Sequence, residues 1–195
     1  MKRFNLTDEE ITQCKKFAEE VWKTQKEHRS GGSIIRTQNQ MMNDIQLGKV
    51  GEIIVKKFLF EEYGITINLD FDVYPRGKWD DGDFILNDKK FSIKSSKSYA
   101  KWILLESEDI KRGYLFDYYI FVSVDKNLGG GEVRGYATKN EVLNFQQLKK
   151  GTYLPDVKPT PTSILDADNH ARKIEYLNQN WSDLFERNSS LPKMY

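Results

Sequence analysis

At 195 residues, 38% hydrophobic and 30% charged, the chain is long enough for one domain with a substantial core and has an ordinary globular composition. A net charge of +1 excludes a uniformly basic, histone-like surface but leaves room for local basic patches. The single cysteine excludes an intrachain disulfide. No apolar run approaches the roughly 18 residues of a membrane span, and the first residues, MKRFNLTDEE, are too polar for a secretory signal. A cytoplasmic protein with no membrane partner is expected.

In chain order, Thr7 and Glu10 have the spacing of a capping box. Ile11, Cys14, Ala18 and Val21 then form a helical stripe that fades toward His28 and the link Arg29-Ser30-Gly31-Gly32. Cys14 lies within that stripe and reads as a buried, inert thiol. Residues 34–43 are polar, rich in Gln and Asn, and carry no clear element; their amides suit base edges or phosphates. A second helix is expected over 44–62, with Leu47, Val50, Ile54 and Phe58 as its apolar stripe. Glu52 falls at the edge of that arc, away from Lys49 and Lys56. Gly48 and Gly51 weaken the helix, which points to close packing against another element.

Ile65, Ile67, Leu69, Phe71 and Val73 alternate with polar residues, the pattern of a half-buried strand. A basic loop, Arg76-Gly77-Lys78, leads into Trp79-Asp80-Asp81-Gly82-Asp83 and the apolar run Phe84-Ile85-Leu86. After the polar turn Asn87-Asp88-Lys89-Lys90 the chain returns as Phe91-Ser92-Ile93-Lys94, which reads as a β-hairpin. A turn centred between Asp88 and Lys89 places Asp83 across from Lys94, with side chains roughly 5 Å apart. Asp83, Ser92 and Lys94 then share one face, and Phe84, Phe91 and Ile93 the other.

Further on, the pattern predicts a helix over 102–112, a buried strand over 115–124 and, after a glycine-rich turn, a strand over 132–137. Thr138 and Glu141 form a second capping box, opening a helix expected to stop at Gly151. Pro155, Pro159 and Pro161 mark an irregular loop, followed by a helical region over 167–178 and a short helix over 181–187. The chain is read as a single domain: an amino-terminal helix and link (1–43), a core (44–150) and a carboxy-terminal loop with helices (151–195).

A carboxylate and a lysine facing each other across a strand pair often form only a surface ion pair of little worth. His28 and His170 have no partners at metal-ligand spacing, which argues against a zinc site. In combination, three pieces carry more weight: Gly48-Lys49-Val50-Gly51-Glu52 on a helix before the sheet, Gly82-Asp83 before an apolar strand, and Ser92-Ile93-Lys94 on the next strand. Over residues 44–124 this arrangement resembles the PD-(D/E)xK nuclease superfamily, which includes many restriction endonucleases. Gly82 stands where that family often has proline, and Ser92 where it usually has Asp or Glu.

The resemblance implies an α/β fold, a restriction-endonuclease-like core with a central mixed β-sheet flanked by helices. It implies a Mg²⁺-dependent endonuclease, with Mn²⁺ as substitute, most plausibly of the restriction type and acting on duplex DNA as a homodimer. The alternatives are a structure-specific repair or recombination nuclease and a non-catalytic DNA-binding or interaction module. Asp83 would be the main metal ligand, Glu52 a second, the Ile93 carbonyl a third, and Asp81 a reserve. Lys94 would hold and help deprotonate the attacking water, and Ser92 would bond to a metal-bound water. Arg76, Lys78, Lys97, Lys101 and Arg134 are candidates for phosphate contacts, each equally readable as a solvated surface cation. Trp79, Tyr99 and Trp102 are candidates for stacking, the tryptophans being assigned first to the core.

Overall fold

The protein is described by a computed structural model covering residues 2–24, 37–74, 82–159 and 164–185. Both expected capping boxes close. Thr7 and Glu10 exchange bonds of 2.7 and 3.2 Å at the head of α1 (Asp8–Thr24), and Thr138 and Glu141 do so at α4 (Lys139–Leu143). A third box, Thr37 with Gln40, starts α2 (Gln38–Tyr63) ahead of the expected residue 44. Its T-x-x-Q spacing stands in the polar stretch that carried no assignment. Gly64, at φ 69°, ends α2 with a left-handed cap.

The strands are β1 (Arg3–Asn5), β2 (Phe84–Leu86), β3 (Lys89–Lys97), β4 (Trp102–Glu106), β5 (Tyr118–Val124), β6 (Gly130–Thr138), β7 (Gln146–Leu148) and β8 (Asn169–Lys173). A five-stranded mixed sheet has the order β1-β6-β5-β3-β2, with β3 and β5 parallel and the other pairs antiparallel. The fold is therefore mixed α/β. α2 covers one face of this sheet. Val50, Ile54 and Leu59 pack there with Phe91, Ile93, Ile120 and Val122. The helix lies tight against the sheet at Gly51, where an added Cβ would lie 1.8 Å from the Ser95 hydroxyl. The close packing expected at both helix glycines is thus met at Gly51 but not at Gly48, where an added Cβ would meet nothing within 4 Å.

On the opposite face, Tyr119 and Phe121 of β5 pack with Ile103, Leu105, Val142 and Phe145. That layer is completed by a second sheet of order β4-β8-β7, with a short helix, α3 (Ser107–Lys111), after β4. The helix expected over 102–112 is thus a strand for its first half. Ile103 and Leu105 are buried while Leu104 is exposed, a period of two that the apolar run concealed. The region 167–178 is not helical either: β8 pairs with both β4 and β7, and a 3₁₀ turn, Ile174–Tyr176, follows it. The helix expected to reach Gly151 stops at Leu143 because Gln146–Leu148 joins this sheet. Residues 65–73 form no ladder. Ile67 is buried, and Ile65, Leu69 and Phe71 pack on the core, so their alternation reports burial without strand pairing. Of the short helix expected at 181–187, the described part forms a 3₁₀ turn, Trp181–Asp183, and residues 186–187 lie outside the described residues. Among the described residues, no helix is long and apolar enough to cross a membrane.

Candidate functional site

The β2–β3 hairpin turns on Asn87 and Asp88, both left-handed at φ 50° and 59°. Asn and Asp tolerate that backbone, and a two-residue turn of this kind matches the twist of the strands it joins. Phe84 pairs with Phe91 and Leu86 with Lys89, so the turn sits one residue earlier than expected. Asp83 consequently lies level with Ser92, and Lys94 stands two residues, roughly 7 Å, further along β3. The expected Asp83–Lys94 pairing is corrected accordingly. The division of side chains between the two faces is unchanged.

Asp83 is held from both ends. Its amide donates to the Phe91 carbonyl at 2.9 Å, and its Oδ2 accepts from the Ile93 amide at 2.5 Å. The amide and carbonyl of one strand residue point to the same side, so the Ile93 carbonyl also faces the β2 edge, beside Asp83. Gly82, at φ 120°, makes this entry possible. A Cβ there would sit 2.9 Å from the Phe91 carbonyl and 3.1 Å from the Phe116 ring. Ser92 is buried at 2% exposure. Lys94 is exposed and makes no ion pair with any described residue.

Phe91, Ile93 and Ser95 face α2, so Ser92, Lys94 and Ser96 project from the other side of the sheet. Glu52 belongs to the α2 side. Its carboxylate meets Lys49 Nζ at 2.7 Å, and both side chains are only 11% exposed. Glu52 and Lys49 are three residues apart on the helix and can meet, contrary to the expected separation. Lys49 also donates to the Asp70 carbonyl and lies 4.8 Å and 5.1 Å from the ring centres of Phe17 and Phe71. Burial, reinforced by the charge of Glu52, pushes the Cys14 thiol up to about 12. Cys14 is fully buried, as its place in the stripe implied. No group of three or more His, Cys, Asp or Glu side chains among the described residues is arranged to hold a metal ion.

Of the remaining candidates, Arg76, Lys78, Trp79 and Asp81 lie outside the described residues. Lys97 is exposed at the end of β3, and Lys101 is exposed just before β4. Arg134 is on β6, two strands away from β3 and 3.7 Å from Glu132. Its Nε is buried with no acceptor among the described residues. Trp102 is buried and donates to the Pro155 carbonyl at 3.0 Å, which makes it a core residue. Tyr99 is 70% exposed. Lys94 opens onto a cleft of about 820 Å³ between β3 and β4, whose far wall comes from Leu154, Val157 and Lys158. Sequence reasoning missed this wall, because only the return of the tail to pair with β4 brings it opposite Lys94.

One further buried polar pair stands apart. His170 Nδ1 and Ser107 Oγ are 3.0 Å apart, and both residues are buried. Burial, then the nearby charge of Lys111, holds His170 below its ordinary value of 6.5. The unfolded chain therefore takes up the proton first as pH falls. Stability is expected to be full above pH 6.5 and to decline as pH drops below it. Denaturant melts of the parent between about pH 5 and 7 should show this slope. A His170→Asn variant should flatten it.

Comparison with known proteins matches no family model, no curated protein and no solved structure.

Proposed function

We propose that this chain is a divalent-metal-dependent endonuclease that hydrolyses DNA phosphodiester bonds, with Asp83 and Lys94 at its centre. The observation that carries the reading is the clamping of Asp83 onto the Ile93 amide, with Lys94, which pairs with no described residue, one residue beyond. The order of a glycine-notched helix, an antiparallel hairpin and a parallel fifth strand supports a restriction-endonuclease-like core.

The donors suit a hard cation of the Mg²⁺ type, which takes oxygen ligands, keeps several waters and needs only one or two carboxylates. Asp83, whose second carboxylate oxygen is not used by Ile93, and the Ile93 carbonyl would hold it. Such an ion supplies charge stabilisation to the scissile phosphate and lowers the pKa of water. Lys94, exposed on the same face as Asp83, orients the attacking water and offsets phosphate charge. Ser92 replaces a carboxylate with a neutral hydroxyl and so lowers the negative charge available there. Glu52, paired with Lys49 on the α2 side of the sheet, is left out of this ligand set.

A restriction-type enzyme acting on duplex DNA as a homodimer is the leading form of this reading, because symmetric sites match two-fold dimers. A structure-specific nuclease is the second, favoured by the cleft beside Lys94. Incubation with supercoiled plasmid should give cleavage in Mg²⁺ or Mn²⁺ and none in EDTA. Discrete fragments would indicate restriction and random nicking the second form. An intact plasmid under every metal condition, with linear and branched substrates also uncut, would overturn the assignment.

A further inference from the structure

We infer that the cleft beside Lys94 receives an unpaired nucleotide, so that the substrate is a strand that is single or locally opened; this rests on the nuclease reading above, in its second, structure-specific form. The cleft measures about 820 Å³, within the range of sites that enclose a small ligand. Its floor is apolar, built from Phe121 and the buried Trp102. Lys94, Lys101 and Lys158 surround it. Neither Lys94 nor Lys101 makes an ion pair among the described residues, and Asp156, the acid at the rim, is taken by Lys173 at 2.6 Å. Lys94 and Lys101 therefore remain available for phosphate.

Tyr99 is the decisive residue. It is 70% exposed at the lip, and its hydroxyl has no hydrogen-bond partner among the described residues. Neither core packing nor a polar network accounts for it. An aromatic face beside lysines matches the two parts of a nucleotide, a base to stack on and a phosphate to neutralise. A paired base shows a protein only its edges. Its face becomes available when the base leaves the helix or the strand is single. An apolar peptide would use the floor but leave the lysines unexplained.

The test measures fluorescence anisotropy in EDTA, so that binding is read without cleavage. The probes are a labelled short oligothymidylate, the same strand fully paired, and a duplex carrying one unpaired thymidine. The parent should bind the single strand about tenfold more tightly than the matched duplex. Tyr99→Ala should lose about tenfold on the single strand and less than about twofold on the duplex, and Tyr99→Phe should retain parental binding. Tight binding of the bulged duplex would assign the source to an extruded base, and weak binding of it to a free strand. Equal affinity for single strand and matched duplex, or an unaffected Tyr99→Ala variant, would overturn the inference. Because Tyr99 is exposed, both variants should melt like the parent. Single-strand binding without any metal-dependent cleavage would defeat the nuclease reading alone. Cleavage with Tyr99→Ala binding unchanged would defeat the cleft alone.

Discussion

Replacing Lys94 with alanine is expected to lower metal-dependent DNA cleavage by about 10²–10⁴-fold, the range lost when a positioned proton-transfer group is removed. Melting should be unchanged, since Lys94 is exposed and holds no partner among the described residues. Asp83→Asn should lose cleavage to a similar extent for a different reason. Asparagine keeps an oxygen for the Ile93 amide and so preserves the hairpin, but removes the negative charge that, on the proposed reading, would attract the cation. The contrast lies in metal dependence. Lys94→Ala should keep the parental Mg²⁺ titration midpoint at a reduced rate, whereas Asp83→Asn should need far more metal. Normal cutting by Lys94→Ala would end the mechanism.

Glu52→Ala is expected to carry the largest stability cost of the substitutions considered. It strands the Lys49 ammonium at a site where both side chains are 11% exposed, and breaking such a buried pair costs about 3 kcal/mol or more. For a domain of this size that is a fall in melting temperature of roughly 6–12 °C. Replacing both partners, Lys49→Met with Glu52→Leu, should recover most of the loss, because no charge is then left buried. Chemical melts of the two singles and the double form a cycle that measures the coupling. The double variant also separates two roles for Glu52. Cleavage by the folded double within about tenfold of the parent is expected, since α2 packs on the side of the sheet away from Lys94. Lost cleavage in a stable double variant would place Glu52 among the metal ligands instead.

What was legible in the sequence follows from how local each signal is. The Thr7 and Thr138 boxes involve side chains three residues apart and needed no knowledge of the rest of the fold. The stripe of α2 and the closeness demanded by Gly51 were equally readable, because helical periodicity and the absence of a side chain both act at short range. The hairpin was legible but its register was not. Four polar residues between apolar runs admit more than one two-residue turn, and the left-handed tolerance of Asn87 and Asp88 decided between them. The errors at residues 102–106 and 169–173 share a cause. Each segment becomes a strand because the other is there to pair with it, across more than sixty residues of intervening chain. At the site, the residue types were readable one by one. The placement of Glu52 on the sheet side opposite Lys94 depended on where α2 docks.

That pairing of β4 with β8 has a consequence for synthesis. Chains emerge amino terminus first, and domains fold as their contacts become available. Asp83 and Lys94 leave the ribosome long before the strand that braces the wall opposite them. Until residue 173 has cleared the exit tunnel, β4 lacks β8 and the apolar layer under Tyr119 and Phe121 stays uncovered. A nascent chain therefore holds Asp83 and Lys94 on an unfinished scaffold, and the cleft beside Lys94 gains its braced wall only once residue 173 has emerged.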